Sequence, residues 1–292
     1  MRREVLRNLL AAFGVVFIAI IALSVVVGVF MDSEITGEKV AVVELQGVIT
    51  DPADVNQELQ DLAARDDVKA VVLRIDSPGG AVGPSQEIHR EVEKLREKKT
   101  VVASMGTVAA SGGYYAAVAA EKIVANPGTI TGSIGVIMEF FNAQELLGKI
   151  GLKGYVIKSG KYKDVGSPLR EMEAEERALI QAAIDDVNRQ FIKAVAEGRR
   201  LKTEEVEKIA DGRIFTGMQA KEQGLVDELG SLSDAITLSA RLAGIEGEPV
   251  VIYTGKSRIS FWKAMFGGTS VDSLAELFSG LRLMYLMPNP AR

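Results

Sequence analysis

Leu9 to Phe30 is a run of 22 residues without a charge, interrupted only by Gly14, Ser24 and Gly28. As a helix rising 1.5 Å per residue it spans about 33 Å, enough for a hydrocarbon core of about 30 Å. Beyond a short polar stretch the pattern changes. Val40 to Ile49 alternates and is rich in valine, which predicts a strand closed by Thr50-Asp51-Pro52. Ala53 to Ala64 carries apolar residues at Val55, Leu59, Leu62 and Ala63, a helical stripe. Val68 to Ile75 and Thr100 to Met105 read as buried strands, with a helix over Pro84 to Glu97 between them. Further on, the pattern predicts a helix over Gly112 to Ala120 and a strand over Lys122 to Ala125. Asn126 to Gly135 reads as a loop, and a strand over Val136 to Phe141 follows. A helix over Ala143 to Ile150 and a strand over Tyr155 to Lys158 complete this part. Glu173 to Arg199 is a long amphipathic helix. Short helices over Thr203 to Ala210 and Gly217 to Gln223, a helix over Ser231 to Ala243 and a strand over Pro249 to Tyr253 follow it. Strands alternating with helices indicate an α/β fold built on a parallel sheet with crossover helices.

Charge gives the apolar run a direction. Arg2, Arg3 and Arg7 precede it and Asp32 and Glu34 follow it, so the positive-inside rule places residues 1–8 in the cytoplasm. The run exceeds the roughly 7–15 apolar residues of a cleavable signal peptide, and Val29-Phe30-Met31-Asp32 offers no small-residue cleavage site. Residues 9–30 are therefore expected to be an uncleaved transmembrane signal-anchor in the cell membrane. Residues 31–38 form a tether, and the body lies outside. The chain carries −5 in all, and its first 31 residues hold three arginines against one glutamate, leaving −7 on the remainder. A mildly acidic body argues against a nucleic-acid partner. With no cysteine there is no disulfide, no thiolate metal site and no cysteine nucleophile. Nothing in the pattern calls for a metal or a cofactor.

The candidate chemistry lies in Ala109 to Tyr115, A-A-S-G-G-Y-Y, at the exit of a predicted strand. Small residues allow a sharp turn there and present the Ser111 hydroxyl at a helix start. Upstream, a second strand ends in Ser77-Pro78-Gly79-Gly80, whose glycines can aim backbone N–H groups at the same place. A serine hydroxyl is a poor nucleophile until a base takes its proton. The one histidine, His89, falls mid-helix among Glu87, Arg90 and Glu91 and reads as a solvated helix residue. A lysine can serve if burial lowers its pKa from about 10.4 towards 7–8. Candidates cluster in Lys158-Ser159-Gly160-Lys161-Tyr162-Lys163-Asp164, and spacing alone does not choose between Lys161 and Lys163. The adjacent Asp164 would raise the pKa of a neighbouring ammonium, so its carboxylate is expected to point away.

Three segments in order, A-A-S-G-G-Y-Y, then Ala125 to Gly135 (A-N-P-G-T-I-T-G-S-I-G), then G-K-Y-K-D with Pro168 five residues beyond its second lysine, resemble the signal peptide peptidase A family in its short, single-copy form. The likeness runs from Val40 to about Gly244. It implies a ClpP/crotonase-like fold of repeated ββα units behind one N-terminal transmembrane helix, with a Ser/Lys peptidase domain over 39–258 and an apolar tail over 259–292. It implies Ser111 as nucleophile, Lys163 as general base, Ser133 as the residue orienting the lysine, and the N–H groups of Gly80 and Gly112 as the oxyanion hole. It also implies a homo-oligomeric ring whose sites are shared between neighbouring protomers, and remnant signal peptides or other apolar peptides as substrate. The alternatives are a related Ser/Lys membrane protease acting on a membrane-protein partner, and a crotonase-like enzyme that is not a peptidase. For the tail, Leu277 to Met287, docking on a neighbouring subunit is expected over lying on the membrane or occupying the site as a substrate-like peptide.

Overall fold

Val40 and Val42 turn to one face of the sheet and Ala41, Val43 and Leu45 to the other, and all five are buried. That two-sided burial marks a strand inside a parallel sheet, covered by helices on both faces. The strand is β1 (Lys39–Gln46). The computed structural model describes residues 13–14, 17–19, 37–254 and 284–286. The chain divides into two compact units, residues 1–38 and 39–292. In the first, residues 13–14 and 17–19 are helical and 37–38 are not. The expected signal-anchor over residues 9–30 falls almost wholly outside the described residues, and among those described no helix is long and apolar enough to cross a membrane.

In the second unit β1 is followed by α1 (Ala53–Ala63), β2 (Val68–Ser77), β3 (Gly79–Ala81), α2 (Val82–Arg96), β4 (Thr100–Ala110) and α3 (Gly112–Ala117). Then come β5 (Lys122–Ala125), β6 (Ile130–Gly132), α4 (Gln144–Lys149), α5 (Ala174–Arg199), α6 (Thr203–Glu207) and β7 (Ile214–Thr216). The series closes with α7 (Gly217–Glu222), β8 (Glu228–Leu229), α8 (Leu232–Leu242), β9 (Val250–Tyr253) and β10 (Met284–Leu286). The main sheet runs β7-β6-β4-β2-β1-β9, with β5 also on β4 and β8 on β5. Its pairs are parallel except β6 with β7, so the sheet is mixed, as in the expected α/β class.

On one face Leu59 and Leu62 of α1, Ile88, Val92 and Leu95 of α2, Tyr114 of α3 and Phe191 and Val195 of α5 close the larger core. On the other, Ala235, Leu238 and Ala240 of α8 cover Val40, Val42, Val72, Val102 and Val124. Each buried leucine or valine contributes roughly 1.5–3 kcal/mol, so these layers outweigh any surface ion pair.

β4 is long enough to serve two neighbours, β5 along Val102 to Met105 and β6 along Val108 to Ala110. Between them it bulges, because Ile75 pairs with Met105 but Ser77 pairs with Ala109. Asp76 fills the gap by accepting the N–H groups of Thr107 and Val108, at 3.3 and 3.2 Å. The bulge adds twist and re-aims the end of the strand, which leads straight into Ser111.

Several expected elements differ. Val136–Phe141 and Tyr155–Lys158 form no strand and belong to an irregular arm from about residue 137 to 170. On that arm Phe141, Tyr155 and Ile157 are 83%, 86% and 101% exposed. Among the described residues no strand extends along these segments, and pairing is limited to a bridge at Ile137. Within the expected loop 126–135, β6 forms because β4 offers it an edge. The strands ending at Ile75 and Met105 run on to Ser77 and Ala110, and the helix at Gly112 stops at Ala117. His89 is not solvated: its side chain is 12% exposed, its Nδ1 donates to the Tyr115 carbonyl at 2.8 Å, and its ring lies 4.8 Å from that of Tyr115.

Candidate active site

Ser111 is the N-cap of α3, with φ 53° and ψ −116°, a backbone conformation that L residues rarely adopt. Such strain costs about 1–3 kcal/mol and persists only where surrounding structure imposes it. Here the imposing contacts are the Ser111 N–H donating to the Gly132 carbonyl at 2.8 Å and the Tyr115 N–H donating to the Ser111 carbonyl at 2.8 Å. The residue is 1% exposed, and its Oγ has no hydrogen-bond partner among the described residues. A buried hydroxyl without a partner is rare in native folds and points to a role outside the fold itself.

The two glycines lie against this turn. A Cβ on Gly112 would stand 3.2 Å from the Gly80 nitrogen and 2.5 Å from Ser85 Oγ, so the two glycine backbones approach each other across the start of α3. A Cβ on Gly80 would stand 2.1 Å from the Ile49 carbonyl oxygen, which leaves glycine as the residue that fits. Gly112 begins α3, where the first N–H groups have no acceptor inside the helix. β3 itself is held from one side by Ile49, whose N–H donates to Gly79 O at 2.9 Å and whose carbonyl accepts from Ala81 N–H at 2.7 Å. On its other side lies β10, antiparallel, with Tyr285 opposite Gly80 and Leu286 opposite Gly79. The tail is expected on a neighbouring subunit, whereas its described stretch, residues 284–286, pairs with the glycine strand of its own chain.

Ser133 follows Gly132, so the strand that fixes Ser111 also carries Ser133 next to it. Ser133 is 5% exposed, has φ 50°, and donates its N–H to Arg213 O at 2.8 Å. Thr131, fully buried, donates its hydroxyl to Ala109 O at 2.6 Å and ties β6 to the approach to the turn. Its position in the T-G-S segment was the one available signal. A cavity of about 360 Å³ opens beside Ser133, lined by Val136, Ile184, Asp185, Asn188 and Asp211 among others, and the buried Asn188 Oδ1 has no partner.

Lys163 is not brought to Ser111 within the chain. It sits exposed in the turn over 161–166 of the irregular arm, its N–H donating to Gly160 O at 3.2 Å. Lys161 is engaged by Glu175 of α5, whose hydrogen bond pushes the Lys161 pKa up. The Asp164 carboxylate is taken up by Arg170 and Lys158, and Arg170 first, then Lys158, holds its pKa well below the ordinary range. Among the described residues no group of three or more histidine, aspartate or glutamate side chains is arranged to hold a metal ion.

A serine on a strained strand-to-helix turn, flanked by closely approaching glycine N–H groups, is the arrangement acyl transfer requires. The model of peptidase family S49 matches residues 93–246, and that of the Clp protease family matches residues 38–129, in keeping with the ClpP-like sheet. A protein of Synechocystis sp. provisionally named as a protease is 46% identical over 237 residues, 80% of this chain and 85% of its own. A protein of Methanocaldococcus jannaschii, also provisionally named as a protease, is 43% identical over 195 residues, 67% of this chain and 63% of its own, so the match spans under two thirds of that relative. One of Enterococcus faecium, provisionally named signal peptide peptidase SppA, is 32% identical over 270 residues, 84% of this chain and 78% of its own. Matched over more than half its length by the family model, the chain belongs to peptidase family S49, the signal peptide peptidase A family, and is a serine peptidase.

Proposed function

We propose that this serine peptidase is a membrane-anchored endopeptidase, its catalytic unit outside the cytoplasm, that degrades remnant signal peptides through a Ser111/Lys163 dyad shared between neighbouring copies of the chain. The observation that carries the reading is Ser111: buried, strained and with an unpartnered hydroxyl beside the Gly80 and Gly112 backbones. The Lys163 amine takes the Ser111 proton as Oγ bonds to the scissile carbonyl carbon. The resulting oxyanion accepts from the Gly80 and Gly112 N–H groups. Collapse breaks the C–N bond while the Lys163 ammonium returns its proton to the leaving amine, and water then releases the acyl group by the same route. Ser133 orients the lysine.

Two observations support sharing between chains. An ordinary lysine is neutral in roughly one molecule in 2,500 at pH 7, so a base lysine needs burial, and Lys163 is exposed in the single chain. The arm that carries it also exposes Phe141, Tyr155 and Ile157, apolar area that a neighbouring copy would cover. The cavity beside Ser133 has room for a side chain from a neighbouring copy, which supports this reading. Engagement of Lys161 by Glu175 supports Lys163 as the base. The antiparallel fit of β10 on β3 supports strand addition as the way an extended peptide binds. Membrane attachment through residues 9–30 would hold this groove beside substrates that themselves lie in the bilayer.

The test is hydrolysis of a synthetic signal peptide in detergent by the assembled protein. Ser111→Ala and Lys163→Ala are each expected to lose about 10³-fold or more. Random co-assembly of the two inactive variants restores about a quarter of the parental activity if each site takes one residue from each neighbour. Normal turnover by Lys163→Ala would remove it as the base, and no recovery on mixing would return the dyad to one chain.

A further inference from the structure

Arg170 divides its guanidinium between the turn that carries Lys163 and the start of α5. Nε donates to Asp164 Oδ2 at 2.9 Å and Nη2 to Asp164 Oδ1 at 2.8 Å, a two-pronged grip on the carboxylate beside the lysine. Nη2 also reaches the Asp164 carbonyl at 3.3 Å. From the other side Nη1 donates to Glu176 Oε2 at 2.7 Å and to the Glu171 carbonyl at 3.0 Å, and Nη2 to Glu176 Oε1. Glu176 is 2% exposed and also accepts the Glu173 N–H at 3.0 Å, closing the first turn of α5. The bracket therefore connects an exposed loop to the start of a long helix whose far half, Phe191 to Ala196, is packed in the core.

We propose that Arg170 is the positioning residue for Lys163: it bridges Asp164 to Glu176, fixes the lysine-bearing turn on α5, and keeps the neighbouring carboxylate turned away from the lysine. The inference rests on Lys163 being the general base. Arginine suits the task because its planar fork meets two carboxylates at once, which a lysine's point charge cannot do. The charged and titratable groups around the turn are Lys158, Lys161, Tyr162, Asp164 and Arg170 from the arm and Glu175 and Glu176 from α5. Lys161 and Tyr162 are both occupied by Glu175, and Lys158 shares Asp164. Without Arg170, among the described residues Lys158 alone faces Asp164 and nothing joins it to Glu176.

The test is the pH profile of kcat/KM for full-length protein on a fluorogenic leucyl peptide amide. Arg170→Gln is expected to lower kcat about 10-fold at neutral pH with KM unchanged, and to move the acid limb up by about half a unit as the freed carboxylate favours the lysine's ammonium form. Adding Asp164→Asn should bring the limb back, and Arg170→Lys should hold the limb in place while kcat still falls. The limb is read from whatever fraction is active, so partial unfolding does not blur it. An unmoved limb in Arg170→Gln, or a shift that Asp164→Asn leaves untouched, overturns the inference. Lys163→Ala, assayed alongside, separates the two readings: activity there removes the base and its positioning residue together. An inactive Lys163→Ala with an unmoved Arg170→Gln limb removes the positioning role alone.

Discussion

The Ser111 N–H donates to the carbonyl oxygen of Gly132 at 2.8 Å, so the residue before Ser133 holds the backbone of Ser111. Ser111 and Ser133 both have positive φ, 53° and 50°, in positions where glycine would be unstrained. Two serines at strained positions, the first bonded to the glycine that precedes the second, serve through their hydroxyls rather than their backbones.

That strain predicts a trade of activity for stability. Ser111→Gly should abolish hydrolysis yet raise stability by about 1 kcal/mol. The relief of 1–3 kcal/mol of backbone strain exceeds the 0.5–1 kcal/mol entropic cost of glycine. Ser111→Ala should be equally inactive but keep the strain. Urea unfolding midpoints check this, and a glycine variant less stable than the alanine variant would refute it.

Gly80 and Gly83 form a matched pair. A Cβ at Gly80 meets the Ile49 carbonyl at 2.1 Å, whereas one at Gly83 meets nothing within 4 Å. Gly80→Ala should displace an oxyanion donor and lower kcat about 10²–10³-fold. Gly83→Ala, inside α2, should leave kcat unchanged and stabilise the helix by about 1 kcal/mol. Equal kcat values for the two variants would show that Gly80 does not line the site.

β3 has two edges, one held by Ile49 and the other by Met284–Leu286. An added substrate strand must take the second edge, so it competes with the tail. Ending the chain at Gly280 should lower KM for a short peptide several-fold with kcat unchanged. An unaltered KM would mean that substrate does not add to this edge.

Asp227 supplies a pH prediction. Burial pushes its pKa up, but the Arg199 guanidinium at 2.7 Å, the Ile123 N–H at 2.8 Å and Lys122 outweigh that and hold it below the ordinary value. A depressed carboxylate pKa stabilises the fold above the unfolded value of about 3.9, and the contribution is lost as pH falls through the folded pKa. Melting temperature measured from pH 7 to pH 2.5 should therefore fall more steeply for the parent than for Asp227→Asn below pH 4. Parallel curves would show that Asp227 does not carry this dependence.

Local pattern was enough for the central strands and most helices. Val40 to Leu45 and Val68 to Ile75 are apolar because both faces of a parallel sheet are covered, and that signal is written in consecutive residues. The candidate serine was equally legible, since a small-residue turn after a strand is a local property. Family motifs then named Lys163, Ser133, Gly80 and Gly112. Pairing between distant segments is not local and leaves no such trace in consecutive residues. Ile130–Gly132 is a strand because β4 continues past its bulge to meet it, while Val136–Phe141 alternates as well but forms no more than a single bridge, at Ile137. His89 sits among charged neighbours in sequence, yet folding sets Tyr115 against its ring. The strained φ of Ser111, the tail strand on Gly79–Ala81, and the separation of Lys163 from Ser111 each depend on contacts between residues far apart in the chain. Periodicity reports which way a side chain faces, and only the folded backbone reports what it faces.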